Sequence, residues 1–135
     1  IGRLRAAGID VTVLAPGDPV ASAARELNIG FLSRMLRQRP WVRLKIAASL
    51  DGRTALDNGL SQWITGDAAR TDGHAYRKRA GAVLTGIGTV IDDDPRLDVR
   101  LVDTVLQPCR VVVDSKLDIA LDARILAPPG ERLVY

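Results

Sequence analysis

The apolar positions of this chain change period several times along its length. Ile9, Val11, Val13 and Leu14 fall in a short, β-branched run that the cluster Ala15-Pro16-Gly17-Asp18-Pro19 interrupts, which predicts a strand followed by a loop. Over residues 21–37, Ala24, Leu27, Phe31, Leu32 and Met35 recur at helical spacing. Arg34, Arg37 and Arg39 gather where cations suit a helix C-terminus, Pro40 ends the element, and Asn28-Ile29-Gly30 is a weak point inside it. Val42, Leu44 and Ile46 alternate with Arg43 and Lys45, the period of a half-buried strand running to Ser49, and Leu50-Asp51-Gly52 supplies a turn. Asn58-Gly59 marks another turn. Thr65 offers a hydroxyl N-cap with Asp67 in the first turn of a helix whose Ala69, Gly73, Tyr76 and Ala80 form one stripe. Ala82-Val83-Leu84 reads as a strand and Gly86-Ile87-Gly88-Thr89 as a turn toward Asp92-Asp93-Asp94-Pro95. Arg110-Val111-Val112-Val113-Asp114 is a further strand whose unbroken apolar centre predicts burial on both faces. Strands alternating with helices predict an α/β fold with parallel neighbours, in which ligands gather at the carboxyl ends of strands.

Composition sets bounds on this picture. At 135 residues, with 47% hydrophobic and 26% charged positions, the chain can build a core without disulfides or structural metal. The single Cys109 excludes an internal disulfide, and with His74 as the one histidine no zinc site of the usual His/Cys kind can form. No apolar run reaches the roughly 18 residues of a membrane span, and no export signal opens the chain, so a cytoplasmic location is the expectation. The net charge of +3 comes from the first 43 residues, which carry seven Lys/Arg against three acids. Aromatic residues make up only 4%, so the interleaving of basic and aromatic residues used to bind nucleic acid is missing. The chain starts at Ile1 rather than Met and ends in Arg132-Leu133-Val134-Tyr135, which reads as a strand cut part-way and hence as part of something longer.

The polar residues of chemical interest follow strands or precede helices: Ser49 and Asp51, Ser61 to Thr65, Thr85 to Thr89, and Asp114 with Ser115. Such positions let backbone N–H groups approach a ligand, and Gly, Ser and Thr there also serve simply as turn formers. Gly86-Ile87-Gly88 lacks the third glycine of a dinucleotide fingerprint, since position 91 is Ile91, and no P-loop pattern occurs. Arg70, His74 and Arg77 share one face of the predicted helix, either as phosphate donors or as a solvated surface. Asp92-Asp93-Asp94 suits ribose hydroxyls or a turn better than a metal. Trp63 suits the core or a stacked ring. Cys109 has no base nearby in sequence and reads as a structural thiol, and His74 has no G-x-S-x-G serine to serve.

Taken in order, Leu44-Lys45-Ile46-Ala47-Ala48-Ser49-Leu50-Asp51-Gly52-Arg53-Thr54-Ala55, then Gly59, Ser61-Gln62-Trp63-Ile64-Thr65, Ala69-Arg70, His74, Arg77, Gly86-Ile87-Gly88-Thr89-Val90, Asp93-Asp94-Pro95-Arg96-Leu97, Arg100 and Arg110 to Ser115 carry a resemblance. They are similar to the reductase domain of the bifunctional deaminase/reductase family of riboflavin biosynthesis. Ala7-Gly8-Ile9-Asp10-Val11 and residues 27–34 resemble the end of that family's deaminase domain. The resemblance therefore implies two parts: residues 1–40 as the tail of a cytidine-deaminase-like domain with its linker, and residues 41–135 as the first part of a dihydrofolate-reductase-like domain. The zinc-deaminase signature H-x-E with P-C-x-x-C is absent, so zinc would belong only to the missing deaminase part.

The resemblance further implies NADPH-dependent reduction of 5-amino-6-(5-phospho-D-ribosylamino)uracil to its ribitylamino product. It implies that Ala47, Trp63, Thr89, Asp93 and Ser115 line the NADP site and that Ser61, Arg77, Leu97 and Arg100 bind substrate, with Lys45 and Thr65 near the same pocket. The catalytic group is not assigned, no metal is expected, and the rest of the cofactor loop would lie beyond Tyr135. Asp98 stands where the family often has Thr, and Ala80-Gly81-Ala82 where an acid is frequent; neither is expected to touch a mapped contact. Two alternatives are a reductase of the same fold acting on another pyrimidine or pterin-like substrate, and a non-catalytic ligand-binding module. The partner expected is a small phosphorylated pyrimidine, with no nucleic acid and no membrane; homo-oligomerisation is left open by the sequence.

Overall fold

The computed structural model describes all of residues 1–135, and these divide into two compact units, Ile1–Leu44 and Lys45–Tyr135. The first holds three short helices: α1 (Gly2–Ala6), α2 (Pro19–Leu27) and α3 (Ile29–Arg37). Asp18 starts α2 by accepting the Val20 N–H at 2.7 Å, with Pro19 at the first helical position where its missing donor costs nothing. The single helix expected over residues 21–37 is two helices, broken at Asn28, whose backbone leaves the helical region (φ −108°, ψ 17°). Ser33 is buried and donates to the Arg39 carbonyl at 2.9 Å, while Arg43 pairs with Glu26 at 2.6 Å. Residues 9–14, expected as a strand, run irregularly, with the Val11 carbonyl taken by the Arg5 guanidinium at 3.0 Å. No strand lies beside them to form a ladder, and β-branched composition alone does not make one.

The second unit is built on three parallel strands, β1 (Ala82–Gly86), β2 (Cys109–Val113) and β3 (Arg132–Val134), in the order β1-β2-β3. Residues 42–49, also expected as a strand, join no sheet, for the same lack of a neighbour. Helix α4 (Asp67–Lys78) precedes β1. Gly66 rather than Thr65 is its N-cap, and Asp67 in the first turn pairs with Arg70. Of the expected stripe, Ala69 and Tyr76 are exposed and Gly73 and Ala80 half-buried, and His74 is the residue that α4 buries, between half-buried Arg70 and Arg77.

Residues 86–89, expected as a turn, instead start α5 (Ile87–Asp93), with Gly86 as N-cap. Helix α5 lies across one face of the sheet. Its Val90, together with Val112, Ala123 and Ile125, makes the buried core, against which Ile87, Leu97, Ile119, Leu126 and Val134 pack. The opposite face carries Leu84, Val113 and Leu133, all exposed, so β2 is buried on one face and not on both as its apolar run suggested.

Two buried side chains tie the loops to this sheet. Asp114, at the end of β2, accepts the N–H groups of Asp118 at 3.0 Å and Ile119 at 2.9 Å. Arg110 is 1% exposed and donates through Nη2 to the Pro128 carbonyl at 2.6 Å, leaving Nε and Nη1 without acceptors. Burial, helped by the Arg132 cation, holds this guanidinium below its ordinary pKa. Gly130 closes the loop with φ 107°, where a Cβ would sit 3.3 Å from Gln107 Cβ.

Ile125 is the most buried apolar residue of this small core, at 1% exposed. Ile125→Ala is expected to lower the unfolding free energy by about 2–4 kcal/mol, read from urea denaturation; a change under about 1 kcal/mol would show that the core does not depend on it.

Candidate functional site

Two side-chain groups stand out in the second unit, joined by the chain from Asp93 to Arg100. The first is a cleft of about 610 Å³ lined by Thr54, Ala55, Gly59, Ser61, Thr89, Asp92 and Asp93. The Asn58-Gly59 turn expected from the sequence shapes its rim: Gly59 takes φ 84°, its N–H reaches the Leu56 carbonyl at 2.9 Å, and Asn58 Oδ1 accepts the Leu60 N–H at 3.1 Å. This delivers Ser61, whose hydroxyl donates to Asp93 Oδ1 at 3.2 Å. Thr89 and Asp93, four apart on α5, share the face that lines the cleft.

The second group surrounds Asp98. This carboxylate is 5% exposed, and its Oδ2 accepts from Arg96 Nε at 3.0 Å and Nη2 at 2.9 Å while its Oδ1 accepts from Arg100 Nη1 at 2.8 Å. Its backbone carbonyl accepts from Arg77 Nη1 at 3.2 Å. The statement that Asp98 touches no mapped contact is therefore corrected: it contacts both Arg77 and Arg100. Burial pushes its carboxyl up, but hydrogen bonds and charge from Arg96 and Arg100 together outweigh that and hold it below the usual carboxylate range.

His74 lies under the same segment, 5% exposed, and its Nδ1 accepts the Arg100 N–H at 3.1 Å. An accepting Nδ1 means a neutral ring with its proton on Nε2. Burial first, then the cations Arg77 and Arg100, lower the His74 pKa to about 4. Burial, followed by Arg100, also lowers that of Arg77. Gln107 completes the support by clasping Val99, accepting its N–H at 2.7 Å and donating to its carbonyl at 2.9 Å.

The structure thus brings Ser61, Thr89 and Asp93 together in the cleft, and Arg77 and Arg100 together around Asp98. Leu97, at φ 50°, turns back to the core. Ala47, Lys45 and Ser115 lie outside both groups, Ala47 half-buried and Lys45 and Ser115 exposed. Trp63 is 68% exposed rather than in the core, and the Arg70 guanidinium sits 4.5 Å over its ring. Thr65 offers its carbonyl to Arg70 Nη1 at 3.0 Å. Ser49 and Asp51 bond to each other within their turn, and that hydrogen bond, the largest cause, lowers the pKa of Asp51. Sequence reasoning gave Arg96 and Asp98 no role, although the spacing Arg96-x-Asp98-x-Arg100 gathers three charges within five residues.

His74 gives the site a pH signature. An unfolded imidazole binds its proton near pH 6.5 and the folded one near 4, so below pH 6.5 the unfolded state takes up more protons and stability falls. The loss is expected to grow to about 3 kcal/mol between pH 6.5 and 4. Measured by denaturation across that window, it should shrink in His74→Gln; an unchanged slope in the variant would refute the assignment.

Comparison with known proteins places this geometry. The family model described as the RibD C-terminal domain matches residues 40–134. The riboflavin biosynthesis protein RibD of Aquifex aeolicus is 43% identical over 126 residues, covering 93% of this chain and 34% of that protein. That of Escherichia coli (strain K12) is 42% identical over 141 residues, covering 96% of this chain and 37% of that protein. Among solved structures, Acinetobacter baumannii RibD (form 1) superposes with a TM-score of 0.79 at 44% identity, covering 97% of this chain and 37% of that one. The Thermotoga maritima diaminohydroxyphosphoribosylaminopyrimidine deaminase/5-amino-6-(5-phosphoribosylamino)uracil reductase superposes with a TM-score of 0.83 at 33% identity, covering 98% and 37%. The chain spans about a third of the length of these relatives. With its parallel sheet and flanking helices it has the α/β, dihydrofolate-reductase-like fold that the resemblance implied. This chain belongs to the RibD C-terminal domain family.

Proposed function

We propose that this chain forms part of an NADPH-dependent reductase of riboflavin biosynthesis, acting on 5-amino-6-(5-phospho-D-ribosylamino)uracil to give the 5-phospho-D-ribitylamino product. Residues 1–40 are then the closing segment of a deaminase domain and residues 41–135 the opening part of the reductase domain. The observation that carries this reading is the joining of a hydroxyl-and-carboxylate cleft to a cluster of guanidiniums by one segment, from Asp93 to Arg100. A phosphorylated sugar that must meet a nucleotide needs both kinds of surface.

The cleft's donor set fits the nucleoside half of a pyridine nucleotide. The hydroxyls of Thr54 and Thr89 and the Asp93 carboxylate suit ribose hydroxyls and a carboxamide, whereas two aspartates there disfavour a phosphate. When bound, NADPH supplies hydride. Ala47, Trp63, Thr89, Asp93 and Ser115 are the residues assigned to it, with Trp63 offering an exposed ring for stacking.

Ser61, Arg77, Leu97 and Arg100 are assigned to the substrate. Arginine forks match phosphate oxygens, so Arg77 and Arg100 hold the sugar-phosphate end while Ser61 meets the substrate at the cleft. Leu97, turned to the core, sets the spacing between the two. The protein's share in the reaction is then orientation and electrostatics, keeping C1′ of the opened sugar against the cofactor. No nucleophilic side chain is required for that.

The full-length protein, given the phosphoribosylamino-pyrimidine and NADPH, is expected to consume reduced cofactor. Arg77→Ala and Arg100→Ala should each raise the substrate KM about 10- to 100-fold, the loss of one charge-assisted hydrogen bond of about 1.5–3 kcal/mol. A correctly folded protein that turns over neither this substrate nor NADPH would refute the reading. Turnover of an unphosphorylated pterin, indifferent to both arginine changes, would move it to the other reductase class.

A further inference from the structure

Asp98 is a buried carboxylate set among cations that would otherwise repel one another. Arg96 and Arg100 bond the carboxylate, Arg77 bonds the backbone carbonyl of the same residue, and His74 beneath them is neutral. Three guanidiniums and one carboxylate leave the group with two net positive charges, the complement of a phosphomonoester dianion. The geometry also spares donors. Asp98 engages Nε and Nη2 of Arg96 and Nη1 of Arg100, which leaves Arg96 Nη1 and Arg100 Nε and Nη2 without a protein acceptor. Those two side chains are 40% and 44% exposed, against 6% for the Asp98 side chain, so their remaining donors face solvent while the carboxylate that holds them does not.

We infer that Asp98 is a positioning residue: it fixes Arg96 and Arg100 as a two-armed fork for a phosphomonoester, with Arg96 as a further phosphate donor. A long arginine side chain loses rotamer freedom when a ligand orders it, and a fork already ordered avoids most of that loss. Each guanidinium is held by one edge and offers another. The backbone is fixed as well, because Arg100 N–H is bonded to His74 Nδ1 and Val99 is clasped by Gln107. The phosphomonoester can be that of the substrate's sugar or the 2′-phosphate of NADPH, which share this chemistry. The inference rests on the reductase reading only for the choice between these two.

Asp98→Asn keeps the side chain's shape while removing its charge, and is made in the full-length protein. The expected result is a roughly tenfold rise in the KM of one phosphorylated partner alone. A rise for the pyrimidine substrate assigns the fork to the sugar phosphate; a rise for NADPH with no change for NADH assigns it to the 2′-phosphate. In a cycle with a variant carrying both Arg96→Met and Arg100→Ala, most of the Asp98→Asn effect should vanish, since Asp98 acts through these two arginines. If the protein turns over nothing, the reductase reading fails by itself. Ribose 5-phosphate and 2′-phosphoadenosine affinity, read by calorimetry, then tests the fork, and Asp98→Asn should weaken one of the two about tenfold. Equal KM values in wild type and variant, affinities for both probes that Asp98→Asn leaves unchanged, or an Asp98→Asn effect that simply adds to that of the Arg96→Met, Arg100→Ala double variant, would overturn the inference. Should Asp98→Asn not fold, Arg96→Met tests the second arm by the same measurements, with the same outcomes deciding.

Discussion

Parallel strands cannot be joined by a tight turn, because each must return to the same end of the sheet before the next begins. That constraint organises the second unit. Between β1 and β2 the chain spends residues 87–108 on the return, and between β2 and β3 residues 114–131. The first return carries α5 over the sheet, placing Val90 in the core and Asp93 at the cleft, and then runs outside any helix or strand through Arg96, Asp98 and Arg100. The second carries Ile119, Ala123 and Ile125 back into the same core and is held at its start by Asp114. Core packing and ligand chemistry therefore share the same stretches of chain. Leu97 shows the economy of this: it packs on the core while its neighbours Arg96 and Asp98 pair with each other.

Electrostatics in the charged cluster follow from partial burial. A cation loses solvation when it is half covered, so Arg77 and His74 are both pushed toward their neutral forms, and His74, with the lower starting pKa, is the one that yields. Neutral His74 then accepts a backbone N–H, which a charged imidazolium could not do. Asp98 stays charged because three donors from two arginines compensate its burial.

The sheet and α4 were legible in the sequence because their patterns are local: Ala82-Val83-Leu84, the valine run after Arg110 and Asp67 in a first helical turn all fall where they were expected. Residues 9–14 and 42–49 carry an equally good strand pattern, and what they lack is a neighbour, which no local pattern reports. The turn expected at residues 86–89 is helical because Gly86 alone makes the exit from β1, freeing Ile87 and Val90 to face the core. The site was legible in its ligand-facing residues, through a family resemblance, and illegible in its supports. Asp98 carries no local sign of its contacts, and only the folded segment shows its carboxylate between Arg96 and Arg100. His74 was recognised as sharing a face with Arg77, but that the face turns inward depends on a partner segment more than twenty residues away.

Gln107 has a consequence for how this chain behaves among others of its kind. Its amide gives Val99 one donor and one acceptor, the pair of bonds an adjacent strand would give. An extended backbone with open donors and acceptors is a template on which a second chain can add itself. Here that template is closed at its centre by a side chain, and a side chain, unlike a strand, offers no continuing row of bonds. The segment bearing the arginines therefore needs no neighbouring strand at Val99 and offers no complete edge to a stranger.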